Sequence, residues 1–382
     1  MNISRCDHIR KHVKNLTLSF ELLQKEPATQ ECYLYWLYHQ QVFQCASLLQ
    51  TAPPRPLTFA NIGPAVRRSD WTFDRVSTAY DSYKLRVEEQ KTMEALGMDV
   101  VVLAAAFARL DNLRGIHIKS DYYGQINIGP TESPRDIVNL QKEILLSPFY
   151  TRRSRLRDVG RLHLRDLIRA ASVAGPKITD INISASVDMM SPRILALRPE
   201  DLHMACLAFQ YVKRFYFSLP DYSTTPEDIH IFATGQLARL IQAMPNLEEL
   251  TLVSATFTCP IPWAAVFGTG RWGSLCVLDL QCFDFHETEF MEFLIRHKST
   301  LHTVKLFCVE LYSGTFISLL YNMRENLRLT SLELDGVLED TAGNFLNYSY
   351  NAADALADYV TRRNNIFPFS KLKQHQIRTM LD

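Results

Sequence analysis

The sequence lacks an excess of charge of either sign. Its 382 residues contain 41 lysines and arginines and 41 aspartates and glutamates, so the formal net charge is zero. A neutral chain has no overall field that attracts nucleic acid or an anionic membrane surface. Any electrostatic contribution to binding must therefore come from a local group of residues.

The sequence also has little that marks export or a membrane. The opening residues, MNISRCDHIRKHVKN, contain no apolar core of a secretory signal, and no run approaches the roughly 18 apolar residues of a membrane span. The eight cysteines form no CxxC pair, and several lie in apolar stretches, as buried free thiols do. We therefore expect an intracellular protein, cytoplasmic or nuclear, without a membrane partner.

Motifs typical of catalysis are absent as well. There is no nucleophile elbow and no phosphate loop with its lysine. His286-Glu287 begins like H-E-x-x-H, but Phe290 stands where the second histidine is needed. The eleven histidines are scattered, and none has a second ligand at metal-binding spacing. The sequence thus predicts no enzyme activity, no cofactor, no metal site and no small-molecule substrate.

One dinucleotide-binding fingerprint does occur, Gly268-Thr-Gly270-Arg-Trp-Gly273. Its chemistry requires a strand before the glycines and a helix after them, so that the pyrophosphate meets the helix N-terminus. Here the predicted strand SLCVLDL, residues 274–280, follows the glycines. We interpret the segment as a turn between repeats.

What the sequence does contain is a short apolar phrase that recurs four times in its C-terminal half. The phrase reads L-x-x-L-x-L, and the steps between its first positions are 28, 26 and 28 residues. A leucine-rich repeat has a period of about 20 to 29 residues and opens with the same phrase. The four copies are Leu247, Leu250 and Leu252; Leu275, Leu278 and Leu280; Leu301, Val304 and Leu306; and Leu329, Leu332 and Leu334.

Looser copies of the phrase occur upstream, with steps of 100, 65, 34 and 35 residues leading to the regular array. The first two steps are too long for single repeats, so the N-terminal half must carry insertions, above all between residues 20 and 98. A further match at Val159 is discarded, because the arginines around it suit a helix. The looser copies are Val13, Leu16 and Leu18; Leu113, Ile116 and Ile118; Ile178, Ile181 and Ile183; and Val212, Phe215 and Phe217.

Helical periodicity fills the segments between the phrases, so strand and helix alternate. One such unit cannot bury its own apolar face, and neighbouring units therefore stack. We predict an α/β fold, a leucine-rich-repeat solenoid or horseshoe with parallel inner strands and outer helices. Helices are expected at 99–110, 200–209, 232–244, 286–298 and 313–325.

The same pattern suggests three parts of the chain. Residues 1–98 form an N-terminal strand unit with a capping or insertion region, residues 99–340 the repeat array, and residues 341–382 a C-terminal cap. The aromatic segment at 33–43, YLYWLYHQQVF, is a candidate capping helix.

Strand alternation predicts which side chains a partner would meet. Residues between the buried positions of each phrase point to the other face of the sheet. Their mixture of acids, a lysine and two aromatics suits a protein ligand better than nucleic acid. The alternative is that this face is only solvated, because solenoids also bind through loops and edges. The candidate partner-binding residues are Arg214, Tyr216, Glu249, Thr251, Asp279, Gln281, Lys305, Phe307, Glu333 and Asp335.

A run of arginines is the most conspicuous local charge. Part of it has i, i+4 spacing, which would place several guanidinium groups on one helix face for RNA phosphates or an acidic protein. The alternative is a solvated face, with Asp158 and Asp166 as partners within the helix. The run consists of Arg152, Arg153, Arg155, Arg157, Arg161, Arg165 and Arg169.

These motifs resemble fungal F-box-like leucine-rich-repeat proteins, whose repeats of about 26 to 30 residues are similarly irregular. The opening CDHIRKHVKNLTLSF is similar to the segment that follows the F-box in that family, and residues 235–335 carry the specific repeats. The resemblance implies that the repeats capture a substrate protein for a cullin-type ubiquitin ligase. It covers the repeat part only, because no L-P-x-E helical stretch precedes Val13. We expect a protein-recognition module, the substrate-receptor part of such a ligase, with an RNA-binding solenoid as the alternative.

Overall fold

The computed structural model describes residues 10–19, 29–35, 37, 72–120, 143, 145, 159–185, 192–219, 230–231, 233–254, 263–342, 344–346, 350–368 and 373–374. The chain forms two compact units. One consists of Met1–Leu18, Leu103–Lys119 and Arg157–Asp382, and the other of Ser19–Val102 and Ser120–Leu156. The first unit holds the repeats and the segment from 341 onward, and the second holds most of the predicted insertion.

The repeat-bearing unit is built around one mixed sheet of eleven strands, in the order β1-β2-β3-β4-β5-β6-β8-β9-β10-β11, with β7 beside β8. Strands β3 to β9 pair in parallel, and β10 and β11 close the order in antiparallel. The strands are β1 (Asn15–Ser19), β2 (Gly115–Ser120), β3 (Asp180–Ala185), β4 (Arg214–Leu219), β5 (Glu249–Ser254), β6 (Val277–Gln281), β7 (Asp284–His286), β8 (Thr303–Ser313), β9 (Ser331–Glu339), β10 (Asn344–Leu346) and β11 (Lys373–Gln374).

A ladder of backbone hydrogen bonds joins all eight phrases at one position. The second residue of each phrase after the first donates its amide to the carbonyl of the equivalent residue one phrase earlier, at 2.7–3.1 Å. The ladder includes the phrases that begin at Val13 and Leu113. The long steps of 100 and 65 residues therefore still return the chain to a neighbouring strand. It runs through Lys14, Arg114, Thr179, Lys213, Glu248, Cys276, His302 and Thr330.

The apolar positions of the phrases form the core beneath the sheet. Every apolar residue of the seven phrases from Leu113 onward is buried, and Leu250, Leu252, Leu278 and Leu280 are 0% exposed. Burial of one such side chain contributes about 1.5 to 3 kcal/mol, so the phrase contributes substantially to the stability of each repeat. The first phrase, from Val13 to Leu18, is half-buried instead.

Helices alternate with the strands, and the five predicted ones are all present within about four residues of their expected ends. The segment at Val159 is a helix, as its arginines indicated. The helices are α1 (Phe73–Ala95), α2 (Met98–Phe107), α3 (Val159–Ala174), α4 (Pro199–Ala208), α5 (Gln236–Gln242), α6 (Trp263–Phe267), α7 (Glu287–Arg296), α8 (Phe316–Asn326) and α9 (Tyr350–Val360).

Several elements had no sequence signal. Strands β7, β10 and β11 have two or three residues each, too few for an alternating pattern. The expected helix at 313–325 begins later, at Phe316, because β8 continues to Ser313. Thr315 then caps it, since its Oγ1 accepts a hydrogen bond from the Ser318 amide at 3.0 Å.

The second unit contains α1, a helix of 23 residues. Val76, Ala79, Tyr83 and Val87 form its buried stripe, at the i, i+3, i+4 spacing of an amphipathic helix. Tyr33 packs on it with its ring centroid 5.8 Å from that of Tyr83, and burial raises the pKa of the Tyr33 phenol. Residues 33–35 and 37 of the predicted capping helix at 33–43 are helical, and the helix begins earlier, at residue 30; residues 36 and 38–43 lie outside the described residues.

The glycine fingerprint is a turn between α6 and β6, so a helix precedes it and a strand follows, as the sequence predicted. Gly268 has φ +62°, and a Cβ there would lie 2.5 Å from Nε2 of Gln242. Arg296 Nη1 donates to the carbonyl of Gly270 at 3.2 Å. The glycines therefore serve close packing of a turn.

His297 is an example of a histidine used in the core. It is 0% exposed, its Nδ1 lies 2.9 Å from the carbonyl of Phe293, and its Nε2 accepts from the Trp272 amide at 3.2 Å. This pairing requires the neutral ring, with the proton on Nδ1. Burial accordingly lowers the pKa of His297.

Candidate binding face

The candidate residues lie on one face of β4, β5, β6, β8 and β9, which we call the strand face. Strand pairing places them in three rows that cross the sheet. The first row is Arg214, Glu249, Val277, Thr303 and Ser331; the second is Tyr216, Thr251, Asp279, Lys305 and Glu333; the third is Val253, Gln281, Phe307 and Asp335. All ten candidates predicted from the sequence lie in these rows, in the predicted register.

Exposure follows the alternation. The phrase residues between the rows are buried, whereas the residues of the three rows named above are half-buried or exposed. Ser218, which pairs with Val253 at the β4 end of the third row, is buried. Arg214, Glu333 and Asp335 are the exposed candidates, and the other seven are half-buried. The strand face is therefore a packed layer of side chains whose outer atoms are accessible.

Both cations of the strand face are already in ion pairs. Arg214 Nε donates to Asp180 of β3, its neighbour in the first row, and this hydrogen bond raises the pKa of Arg214. Lys305 Nζ lies 2.8 Å from Glu333 Oε2, its neighbour in the second row, and the pKa of Lys305 rises for the same reason. Exposed pairs of this kind contribute only about 0 to 1 kcal/mol to stability. Their main effect is to neutralise the cations locally.

Three carboxylates of the strand face have no salt-bridge partner among the described residues: Glu249, Asp279 and Asp335. Asp279 is the most enclosed of them. Burial raises the pKa of Asp279, although Gln281 Nε2 donates to its Oδ1 at 3.2 Å and Lys305 attracts it. With Asp180, the strand face has five carboxylates and two cations, a formal excess of three negative charges.

Two aromatic side chains, Tyr216 and Phe307, give the face its apolar area. Both are half-buried, and burial raises the pKa of the Tyr216 phenol, with a smaller contribution from Asp279. Aromatic side chains anchored in this way present large contact area at little cost in conformational entropy. The face thus combines anchored aromatics with charge.

The third row ends in a feature that the sequence did not indicate. Cys282, Cys308 and Gly336 follow Gln281, Phe307 and Asp335, and all three have left-handed backbones, with φ values of 58°, 51° and 70°. A Cβ at Gly336 would overlap Cys308 Sγ. Burial raises the pKa of Cys282 to about 11, so its thiol stays protonated and is a poor nucleophile.

The arginine run is described only in part. Arg165 pairs with Asp166 at 3.0 Å, as the sequence suggested, and Arg169 pairs at 2.8 Å with Asp201 of α4, which was not foreseen. Residues 152–158 lie outside the described residues, as does the side chain of Arg161. The two arginines that can be assessed serve α3 and its packing on α4.

Within the part of the chain that the structure describes, no three His, Cys, Asp or Glu side chains are grouped so that they could hold a metal ion. None of the described helices has the length and apolar character needed to cross a bilayer.

A scan against protein-family models and a search of curated proteins give no match to this chain. The fold defines a class, a mixed α/β protein with a parallel sheet and alternating helices. The resemblance to F-box-like leucine-rich-repeat proteins rests on the sequence phrases and their spacing.

Proposed function

We propose that this chain is a protein-recognition module that binds a protein partner through the strand face. The observation that supports it most is the register, because five strands bring two aromatics, two cations and several carboxylates into adjacent rows. Interfaces of this composition, with aromatic anchors among polar groups, are typical of protein partners.

We also propose that the repeat-bearing unit is a leucine-rich-repeat solenoid. The eight phrases, the hydrogen-bond ladder and the alternating helices are the features expected of a leucine-rich-repeat solenoid with strands inside and helices outside. The role as substrate receptor of a cullin-type ubiquitin ligase is supported by the family resemblance of residues 6–20 and 235–335. In that role the strand face would hold the substrate protein.

Recognition of RNA is less well supported. The excess of carboxylates on the strand face repels phosphates, and both of its cations are paired. In the arginine run, Arg165 and Arg169 are committed to aspartates. We expect no RNA binding in a filter assay at low ionic strength; tight, salt-sensitive binding would favour the RNA alternative.

The proposed function predicts the effect of replacing Tyr216 and Phe307 with alanine together. Because these side chains lie outside the core, the variant should fold as the parent does. Loss of two aromatic anchors should weaken partner binding by about 30-fold or more, which corresponds to 2 kcal/mol. The measurement is affinity capture from lysate, followed by titration of the recovered partner.

A matched control replaces Leu207, on α4, and Tyr211, in the turn after α4, with alanine; both side chains are exposed. This control should retain the partner. Equal affinity of the parent and the strand-face variant, with both folded, would exclude the strand face as the binding surface.

A further inference from the structure

We infer that the segment bound by the strand face is rich in lysine or arginine, and that one of its cationic side chains lies over Thr251, between Tyr216 and Asp279. The inference rests on the proposed function and names the chemistry of the partner. It is carried by the order of side chains in the second row and by the distribution of ion pairs around it.

Within the second row, Thr251 has a short side chain between two longer ones. Tyr216, Thr251 and Asp279 are direct neighbours on β4, β5 and β6. Strands lie ~4.8 Å apart, so Tyr216 and Asp279 are separated by about 10 Å at the backbone. The threonine between them has the shortest side chain of the three. The row therefore offers a recess with a phenol ring on one side and a carboxylate on the other.

Glu249 adds a second carboxylate at this recess. It precedes Thr251 by two residues on β5 and points to the same face. Neither Glu249 nor Asp279 has a salt-bridge partner among the described residues. Both feel the field of Lys305, and Glu249 also feels that of Arg214, its neighbour in the first row. The recess thus has two carboxylates and an aromatic ring around a small residue.

A cation is the group that this arrangement would stabilise most. A half-buried carboxylate without a paired cation has lost part of its hydration, and an ammonium or guanidinium group at hydrogen-bond distance compensates for that loss. The face of a tyrosine ring attracts the same groups. The raised pKa of Asp279 agrees with this inference. Burial disfavours the charged form of its carboxylate, and a cation bound beside it would favour that form again.

An anionic partner would have to displace existing contacts. Arg214 is bound by Asp180 and Lys305 by Glu333, so neither is available without breaking an ion pair. Excess negative charge at the first and second rows would also repel it. Charge complementarity therefore favours a basic segment.

The test uses three fluorescein-labelled peptides of twelve residues, alternating serine with lysine, arginine or glutamate, and measures binding to the full chain by fluorescence anisotropy. The lysine and arginine peptides should bind and should weaken as salt rises, and the glutamate peptide should not bind. Asp279→Asn and Glu249→Gln, which keep side-chain size, should each weaken the cationic peptides about 5- to 10-fold. Lys305→Gln should strengthen them, because it removes a competing cation. Glu200→Gln, at an exposed carboxylate of α4, is the matched control and should change nothing.

The outcomes separate this inference from the proposed function. If the glutamate peptide binds and its binding requires Lys305, a basic partner segment is excluded. The strand face would then still be a recognition surface. The inference is also overturned if neither cationic peptide binds. It is likewise overturned if Asp279→Asn and Glu249→Gln both bind these peptides as tightly as the parent does. Retention of the natural partner by the variant with alanine at Tyr216 and Phe307 would overturn the proposed function itself.

Discussion

Replacing Asp201 with alanine should lower the free energy of unfolding by about 2 to 3 kcal/mol, because its buried carboxylate caps α4 and pairs with Arg169, whose side chain is 31% exposed. Asp201 is 1% exposed, and its Oδ1 accepts a hydrogen bond from Arg169 Nε at 2.8 Å. Its Oδ2 accepts from the Arg198 amide at 3.3 Å, at the start of α4. The substitution would therefore leave a guanidinium group without its partner between α3 and α4 and remove a cap from α4.

Urea-induced unfolding followed by circular dichroism measures this loss. Glu200→Ala, one residue earlier on the same helix turn but exposed, is the control and should change stability by less than about 0.5 kcal/mol. Asp201→Asn should fall between the two, because the amide oxygen can keep one hydrogen bond but not the charge. Equal, small effects at Asp201 and Glu200 would show that α3 and α4 do not depend on this pair.

The second large effect is expected at neighbouring residues of β6. Leu278→Ala should cost about 2 to 5 kcal/mol, because Leu278 is 0% exposed and the shorter side chain leaves a cavity. Asp279→Ala should cost little or stabilise slightly, because its carboxylate is already disfavoured by burial and has no salt-bridge partner among the described residues. The contrast tests which side of the strand is the core.

Urea unfolding of both variants measures the contrast. A shift of the sheet register by one residue would exchange the two effects, since it would move Asp279 into the core and Leu278 to the strand face. Similar losses for the two variants would contradict the alternation on which the strand face depends.

Much of the repeat-bearing unit could be predicted from the sequence, because the phrase encodes its own geometry. Leu278 and Leu280 fix one face of β6 by alternation, and the 28- and 26-residue steps place β5 and β8 on either side of it. Once these steps are known, Thr251, Asp279 and Lys305 must share a row. The register of the strand face followed from the same steps.

Other features could not be read from the sequence, since they depend on contacts between distant residues. Arg169 and Asp201 are 32 residues apart and belong to different helices. The left-handed backbones of Cys282 and Cys308 occur at residues that rarely adopt them, so nothing at these two positions could have predicted them. The ion pairs of Arg214 and Lys305 need side-chain positions as well as register. The charge left unpaired on the strand face was therefore visible only in the structure.

The most direct test of the account places a photo-crosslinking amino acid, p-benzoylphenylalanine, at single positions of the chain. Thr251 and Phe307 sample the strand face. Leu207, on α4, and Lys298, in the turn after α7, are exposed positions outside the strand face. After irradiation in lysate, mass spectrometry identifies each adduct. We expect Thr251 and Phe307 to give adducts with the same protein through a segment rich in lysine or arginine, and Leu207 and Lys298 to give none. Adducts that form only from Leu207 or Lys298 would contradict recognition through the strand face.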